Sequence, residues 1–433
     1  MLTRLTHRSH YVLLTCLLAC FSATAQETRD PNFGRQWVAD NPFTLNALCL
    51  TTIAFDLDEY KQAGMNSLLS WKPRTTFLEQ AKAAQYPIHV HQYAREGATP
   101  EFQAKVSKQI EEYPTIQGII INDEPKLSQM RTTAEAMDWV RQQFPDMLVY
   151  CNAYPIGGSP QKYSGDPDKV DYSYGDYIRD FARILQPDVL MFDIYPFSEG
   201  GGRVSDLYFF NLSFVRDVAL KAEIPYWAFI QSYETTNRRL PSESDLRMQL
   251  FSNLTYGYTG FSYFTYDVAF DRGLLEPDGT PNSAYTYAQK INPEVLHLGN
   301  ITRKLISTDV RYITAPSAAT PSNLPRWEHE AGGDPHITSI TDNEPDTEHP
   351  TGLIGFFKAK NGKQYFMLTN LSHDVHLSPE DAARTFTIEF TKDIDKIYRI
   401  SRATGEVETL PTTDGSLAVT LPGGTGDLFM YKP

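Results

Sequence analysis

Basic residues are in short supply: 39 Lys and Arg against 53 Asp and Glu leave a formal net charge of -14. That balance disfavours nucleic acid and anionic membrane surfaces, both of which are held by clustered cations. Cysteine is scarcer still, with 4 in 433 residues. Cys16 and Cys20 fall in an N-terminal apolar run, while Cys49 and Cys151 sit in separate apolar stretches that read as strands. A disulfide framework is therefore not indicated, and buried thiols are expected. No apolar run is long enough to span a bilayer, so no transmembrane segment is expected. Gly200-Gly201-Gly202 lacks the strand-to-helix setting of a phosphate loop, so no nucleotide cofactor is implied.

The N-terminus reads as an export signal. Arg4 and Arg8 precede a short apolar run from Tyr11 to Phe21, and Ala23-Thr24-Ala25 offers the small-x-small pattern of a cleavage site before Gln26. A periplasmic or secreted location follows, with residues 1–25 removed. Leu17-Leu18-Ala19-Cys20 also resembles a lipobox, which would leave a lipidated Cys20 instead.

From residue 47 onward, short apolar strands alternate with helical segments. The strands are expected at 47–53, 66–71, 87–93, 116–122, 147–152, 189–193, 225–230 and 260–266. The intervening helices include 56–63, 75–84, 100–113, 128–144 and 243–256, and a last one runs from Tyr285 to about Leu305. Eight repeats of buried strand plus helix predict a parallel sheet covered by helices. Eight is also the number that closes a barrel, although a doubly wound open sheet would share the periodicity. The expected class is α/β: a (β/α)₈ TIM barrel over 26–306, followed by an all-β sandwich over 307–433. The second unit rests on alternating strands after residue 350, above all the pair flanking Asn361-Gly362, a two-residue hairpin turn. No linker separates the two, so they are expected to pack together.

Chemistry in such a barrel sits at the C-terminal strand ends. Those ends carry Asp56, Trp71, His91 with Tyr93, Asn122-Asp123-Glu124-Pro125, Asn152 with Tyr154, Asp193 with Tyr195, Gln231 with Glu234, and Tyr263, Tyr266 and Asp267. An acidic, aromatic rim with few cations suits neutral polyols, because aromatic faces stack on sugar rings. With 25 Tyr and 12% aromatic residues, part of this supply also fills the core. The sharpest feature is the apolar strand Gly118-Ile-Ile-Ile ending in two adjacent carboxylates, whose mutual repulsion raises one pKa and suits it to proton donation. In a bland reading, the pair would only cap the next helix. His91 has no partner at metal-ligand spacing and is assigned a hydrogen bond to a sugar hydroxyl. His89 is assigned to the other side of the barrel wall.

The run Asn122-Asp123-Glu124-Pro125 resembles the strand-four signature of clan A glycoside hydrolases. Met191 to Phe197 and Tyr256 to Tyr266 are similar to their strands six and eight. The resemblance covers the barrel, and many of these enzymes also carry a C-terminal sandwich. It implies cleavage of a glycosidic bond in a poly- or oligosaccharide, with Glu124 as catalytic acid/base. Trp71, His91, Asn152, Tyr154, Tyr195, Gln231, Tyr263 and Tyr266 would contact the carbohydrate. One departure stands out: Gln231 occupies the strand-seven position where retaining members place their nucleophilic Glu. Three arrangements are compatible with it. Glu234 could supply the carboxylate; Asp193 or another rim carboxylate could activate water in an inverting reaction across roughly 6.5–9.5 Å; or Asp123 could orient a substrate N-acetyl group beside Glu124. A barrel that binds carbohydrate without cleaving it is the alternative of a different class.

Overall fold

The computed structural model describes residues 30, 32–52, 55–201, 204, 206–267, 270–314, 325–329, 334–346 and 348–432. The export signal expected at residues 1–25 lies outside the described residues. A short helix, α1 (Phe33–Asp40), precedes eight parallel strands that close a barrel in chain order. These are β1 (Thr44–Cys49), β2 (Leu68–Ser70), β3 (Ile88–Gln92), β4 (Ile116–Asp123), β5 (Leu148–Ala153), β6 (Leu190–Phe192), β7 (Tyr226–Gln231) and β8 (Gly260–Phe264). Closure is direct, since β1 pairs with both β2 and β8. Around the strands lie α2 (Leu57–Gln62), α3 (Thr75–Ala83), α4 (Pro100–Glu112), α5 (Leu127–Gln143), α6 (Pro160–Ser164), α7 (Tyr174–Leu185), α8 (Asp206–Lys221), α9 (Glu243–Tyr256) and α10 (Ser283–Thr302).

The strands are buried on both faces, which explains why they read as continuous apolar runs rather than alternating ones. Inward side chains such as Leu48, Leu69, Ile120, Tyr150, Met191 and Trp227 fill the interior. Helix α1, which hydrophobic periodicity over eight residues was too short to announce, plugs the N-terminal end. Its Trp37 reaches the interior beside Trp227, with ring centroids 6.3 Å apart. A Cβ on Gly34 would sit 1.8 Å from the Asp188 carbonyl oxygen, so only glycine allows this approach. With one end filled, the opposite end is where side chains can meet solvent.

The sandwich packs a three-stranded sheet against a six-stranded one. The first has the order β10 (Ile337–Asp342), β13 (Arg384–Phe390), β16 (Ser416–Leu421). The second runs β15 (Val407–Pro411), β14 (Lys396–Ile400), β17 (Gly426–Met430), β12 (Gln364–Asn370), β11 (Gly352–Ala359), β9 (Leu305–Ile313). Phe356, Phe366, Phe386, Ile388, Leu421 and Phe429 are buried between them. The Asn361-Gly362 turn joins antiparallel β11 and β12, with Gly362 at φ 86°. Strand β9 begins at Leu305, slightly ahead of the expected 307 start, and α10 ends correspondingly earlier, at Thr302.

The two units share α9. Every residue of this helix after Glu243 is buried, because one side faces the barrel and the other faces the sandwich. The Thr255 and Thr369 hydroxyls meet at 2.7 Å, and Ser242 and Ser244 donate to the Asp374 carbonyl. Asp245, wholly buried, is bound by Arg239 and by His373 of the sandwich, the latter at 2.7 Å. Burial alone would raise its carboxyl, but His373 and Arg239 outweigh that and pull it down to about 2.

Candidate active site

The site begins with an irregularity at the end of β4. Pairing with β5 passes from Ile120–Tyr150 to Asp123–Asn152, so β4 carries one extra residue. Asn122 and Glu124 adopt left-handed backbone, at φ 58° and φ 45°. Such positions cost energy for residues other than glycine and persist where their surroundings hold them. Asn122 supplies part of that hold. Its side chain accepts from the Ala94 N–H at 2.8 Å and donates to the Thr133 hydroxyl of α5 at 2.9 Å. The Glu124 N–H donates to the Asn152 carbonyl at 3.0 Å. This bulge brings Asp123 to the interior beside Asn152 and starts Glu124 on the rim.

Asn152 is the hub of the site. Its single amide nitrogen donates to Asp123 Oδ1 at 3.1 Å and to Asp193 Oδ1 at 3.0 Å, which uses both of its hydrogens. Its side-chain oxygen, Oδ1, is buried and unpaired. Burial pushes Asp123 up to about 6, against the lowering effect of the Asn152 amide. Asp193 is raised to about 7, mainly by burial and further by Asp123, with Asn152 and Lys162 opposing. Glu124 rises furthest, to about 8, through burial first and then the charges of Asp193 and Asp123. Near neutral pH the group therefore retains a proton, most firmly on Glu124. A carboxylic acid beside an ionised carboxylate is the pairing that general acid–base chemistry needs. Lys162 of α6 is the cation that tempers Glu124 and Asp193, and its ammonium lies 4.5 Å from the Tyr154 ring centroid.

Two aromatic groups flank the carboxylates. On the β2–β3 side, Trp71 stacks on His91 at 4.4 Å and 2° between planes, and Tyr93 stands edge-on to both rings. On the β6–β8 side, Tyr195, Tyr233, Phe264 and Phe270 contact one another at 5.0–6.1 Å. His91 is almost fully buried, and burial lowers its pKa to about 4 against the opposing pull of the Asn122 and Trp71 backbone, so the ring is neutral. His89 requires a correction. Strand residues two apart share a face, and His89 lies inside the barrel with His91, its Nδ1 2.9 Å from the Tyr150 hydroxyl.

Of the residues singled out from sequence, Asp123, Glu124, Asn152, Tyr154, Asp193 and Tyr195 meet around one centre, with Trp71 and His91 at its edge. Four others do not. Gln231 is fully buried; its side chain accepts from the Phe197 N–H at 2.9 Å and donates to the Phe197 and Arg239 carbonyls at 3.1 Å each. It braces two loops instead of facing substrate. Tyr263 points outward from β8, donating to Asn292 of α10 at 2.6 Å. Tyr266 lies among Phe55 and Tyr60 and donates to Glu59 at 3.2 Å. Glu234 is held by Arg272 across the loops that follow β7 and β8, which occupies its carboxylate. Asp56 caps α2, and Asp267 accepts from the Leu50 and Thr51 N–H groups. Lys162, Tyr233, Phe264 and Phe270 were not anticipated. Of these, Phe264 had a usable signal, since it ends a strand as Trp71 and Asp193 follow theirs.

No protein-family model matches the chain, and no curated protein matches it. Solved structures are similar at low identity. A GH27 β-L-arabinopyranosidase from Geobacillus stearothermophilus shares 9% identity over 92% of this chain and 98% of its own, with a TM-score of 0.45. A GH51 arabinofuranosidase from Xanthomonas axonopodis pv. citri shares 11% over 93% and 89%, also with a TM-score of 0.45. A GH30 xylanase C catalytic domain from Talaromyces cellulolyticus shares 9% over 91% and 98%, with a TM-score of 0.42. At such levels the functional reading rests on the side chains of this chain.

Proposed function

We propose that the protein is a glycoside hydrolase in which Glu124 is the general acid. The observation that carries this reading is the Asp123–Glu124–Asp193 group gathered around Asn152, with Glu124 holding its proton up to about pH 8. In the proposed step the bond between the anomeric carbon and the leaving oxygen breaks as that oxygen takes the Glu124 proton. Water then adds its oxygen to the anomeric carbon and yields a proton to a carboxylate. Asp193 is the carboxylate assigned opposite Glu124, because Glu234 is engaged by Arg272. Asp123 remains available to orient a substrate 2-acetamido group should the sugar carry one.

The test is release of reducing sugar from a glycan panel by the wild type and by Glu124→Gln. Loss of about 10²–10⁴ in kcat is expected for removing a general acid. Undiminished turnover in the variant would discard the assignment, and binding without turnover by the wild type would make the barrel a carbohydrate-binding scaffold. The anomer released by the wild type separates inversion from retention. We also propose an exported, periplasmic or secreted location, on the strength of the N-terminal segment. No described helix is long and apolar enough to cross a membrane. N-terminal sequencing that begins at Gln26 would support export, while a lipidated Cys20 would place the protein on a membrane surface.

A further inference from the structure

The aromatic groups are placed asymmetrically around the ring but symmetrically about the carboxylates. Strands β4 to β6 carry the charged centre; β2 and β3 adjoin it on one side and β7 and β8 on the other. Each flank is electrically continuous with the centre. Burial first and then Asp123 raise the pKa of the Tyr93 hydroxyl; burial first and then Asp193 raise those of Tyr195 and Tyr233, with Arg238 opposing at Tyr233. Each flank also ends in an exposed ring, Tyr93 at 40% and Phe270 at 53%. Tyr93 packs edge-on to Trp71 and His91 with the Arg95 guanidinium 5.4 Å from its centroid, and Phe270 lies against Tyr233 and Phe264; the parts of the two rings left exposed are apolar surfaces for a ligand to cover. A ligand confined to a single sugar would use one of them.

Resting on the hydrolase reading above, we infer that the substrate is a carbohydrate chain lying across the mouth from Tyr93 to Phe270, with the cleaved bond over the Asp123–Glu124–Asp193 group. Cleavage is then internal, and the products are oligosaccharides. The two flanks are separate specificity determinants, and each binds the part of the chain on its own side of the cut.

The experiment uses the full chain with α- and β-linked oligosaccharides of two to six sugars, fluorescently labelled at the reducing end. Wild type is compared with Tyr93→Ala and Phe270→Ala, with melting temperatures measured alongside because each ring also packs on its aromatic neighbours. Wild-type kcat/KM is expected to rise at least tenfold from the shortest to the longest chain. The two variants should each flatten that rise, and they should shift the labelled product lengths in opposite directions. Equal rates on all lengths, or stepwise release of single sugars from one end, would overturn the inference while leaving a hydrolase abolished by Glu124→Gln. Identical product shifts in both variants would overturn it too. Absence of cleavage by the wild type would overturn the hydrolase reading and internal cleavage with it; affinity electrophoresis on the unlabelled glycans would then show whether both flanks still bind.

Discussion

Carboxylates withdrawn from solvent at the domain junction and at the barrel mouth are treated in opposite ways. At the junction of barrel and sandwich three carboxylates each have cations. Asp245 meets Arg239 and His373; Asp427 meets Arg399 and Arg402; and Glu294 meets Arg247 and Arg402. At the barrel mouth, Asp123 and Asp193 share one amide, and a single lysine tempers Glu124 and Asp193. Asp245 and Glu294 are pulled toward ionisation, whereas the three carboxylates of the mouth are pushed toward protonation. Cations placed against carboxylates hold domains together, whereas carboxylates left without them keep protons available for transfer.

The largest effect is expected where that pairing is broken. Asp245→Asn leaves Arg239 buried without its counter-charge, and denaturant unfolding should show a loss of about 3–5 kcal/mol. Because the Asp245 pKa is depressed in the folded state, its contribution is complete above the unfolded value near 4 and disappears as pH falls toward about 2. Wild type should therefore lose stability across that window, and the variant should lose less. A flat difference between them would mean that the pair is not electrostatic.

Asn152→Ala tests the mouth in the same way. It removes two hydrogen bonds to charged groups, each worth about 1.5–3 kcal/mol. We expect kcat/KM to fall at least tenfold and the acid limb of its pH profile to move upward, since Asp123 and Asp193 lose the donor that favours their ionised forms. In wild type that limb should lie near pH 6–7, and activity should decline again as Glu124 deprotonates near pH 8. An unmoved acid limb in the variant would refute the role of the amide.

Glu124→Gln sharpens the comparison through stability alone. A carboxyl raised in the folded state costs stability progressively as pH rises from its unfolded value near 4.5 toward about 8. The variant should therefore melt above wild type at pH 8.5 and near it at pH 4, while its activity is lost. Melting curves that remain parallel at both pH values would contradict the raised value. The smallest effect belongs to Glu234→Gln. Its ion pair with Arg272 is partly exposed, so a change within about 1 kcal/mol and less than a tenfold loss of turnover are expected. A larger kinetic loss would return Glu234 to the list of catalytic carboxylates.

The barrel was legible because strands covered on both faces and amphipathic helices leave distinct periods in sequence. The carboxylate end of β4 was legible because an Ile run stops abruptly at charged residues. What was not legible is which way individual side chains turn. Phe261, Tyr263, Phe264 and Tyr266 crowd the end of β8, and aromatics on both faces hide the alternation that would have assigned Tyr263 outward and Phe264 to the mouth. Gln231 and Glu234 were misplaced for another reason: their partners, Phe197, Arg239 and Arg272, are brought to them by loops whose paths have no local signature. Strand β9 was hidden by its nearness to α10, and β15 by its exposure, since none of its residues is fully buried.

Helix α9 has no face left for water, and this bears on how the chain can be taken apart. A barrel cut free near residue 304 would present Met248, Thr255 and their neighbours to solvent, an apolar strip that invites self-association. A sandwich grafted elsewhere would need a surface shaped to Gly355, whose would-be Cβ lies 2.2 Å from the Thr255 carbonyl oxygen. For recombination and gene fusion, then, the indivisible part runs from Phe33 to Met430, and new modules belong at its ends.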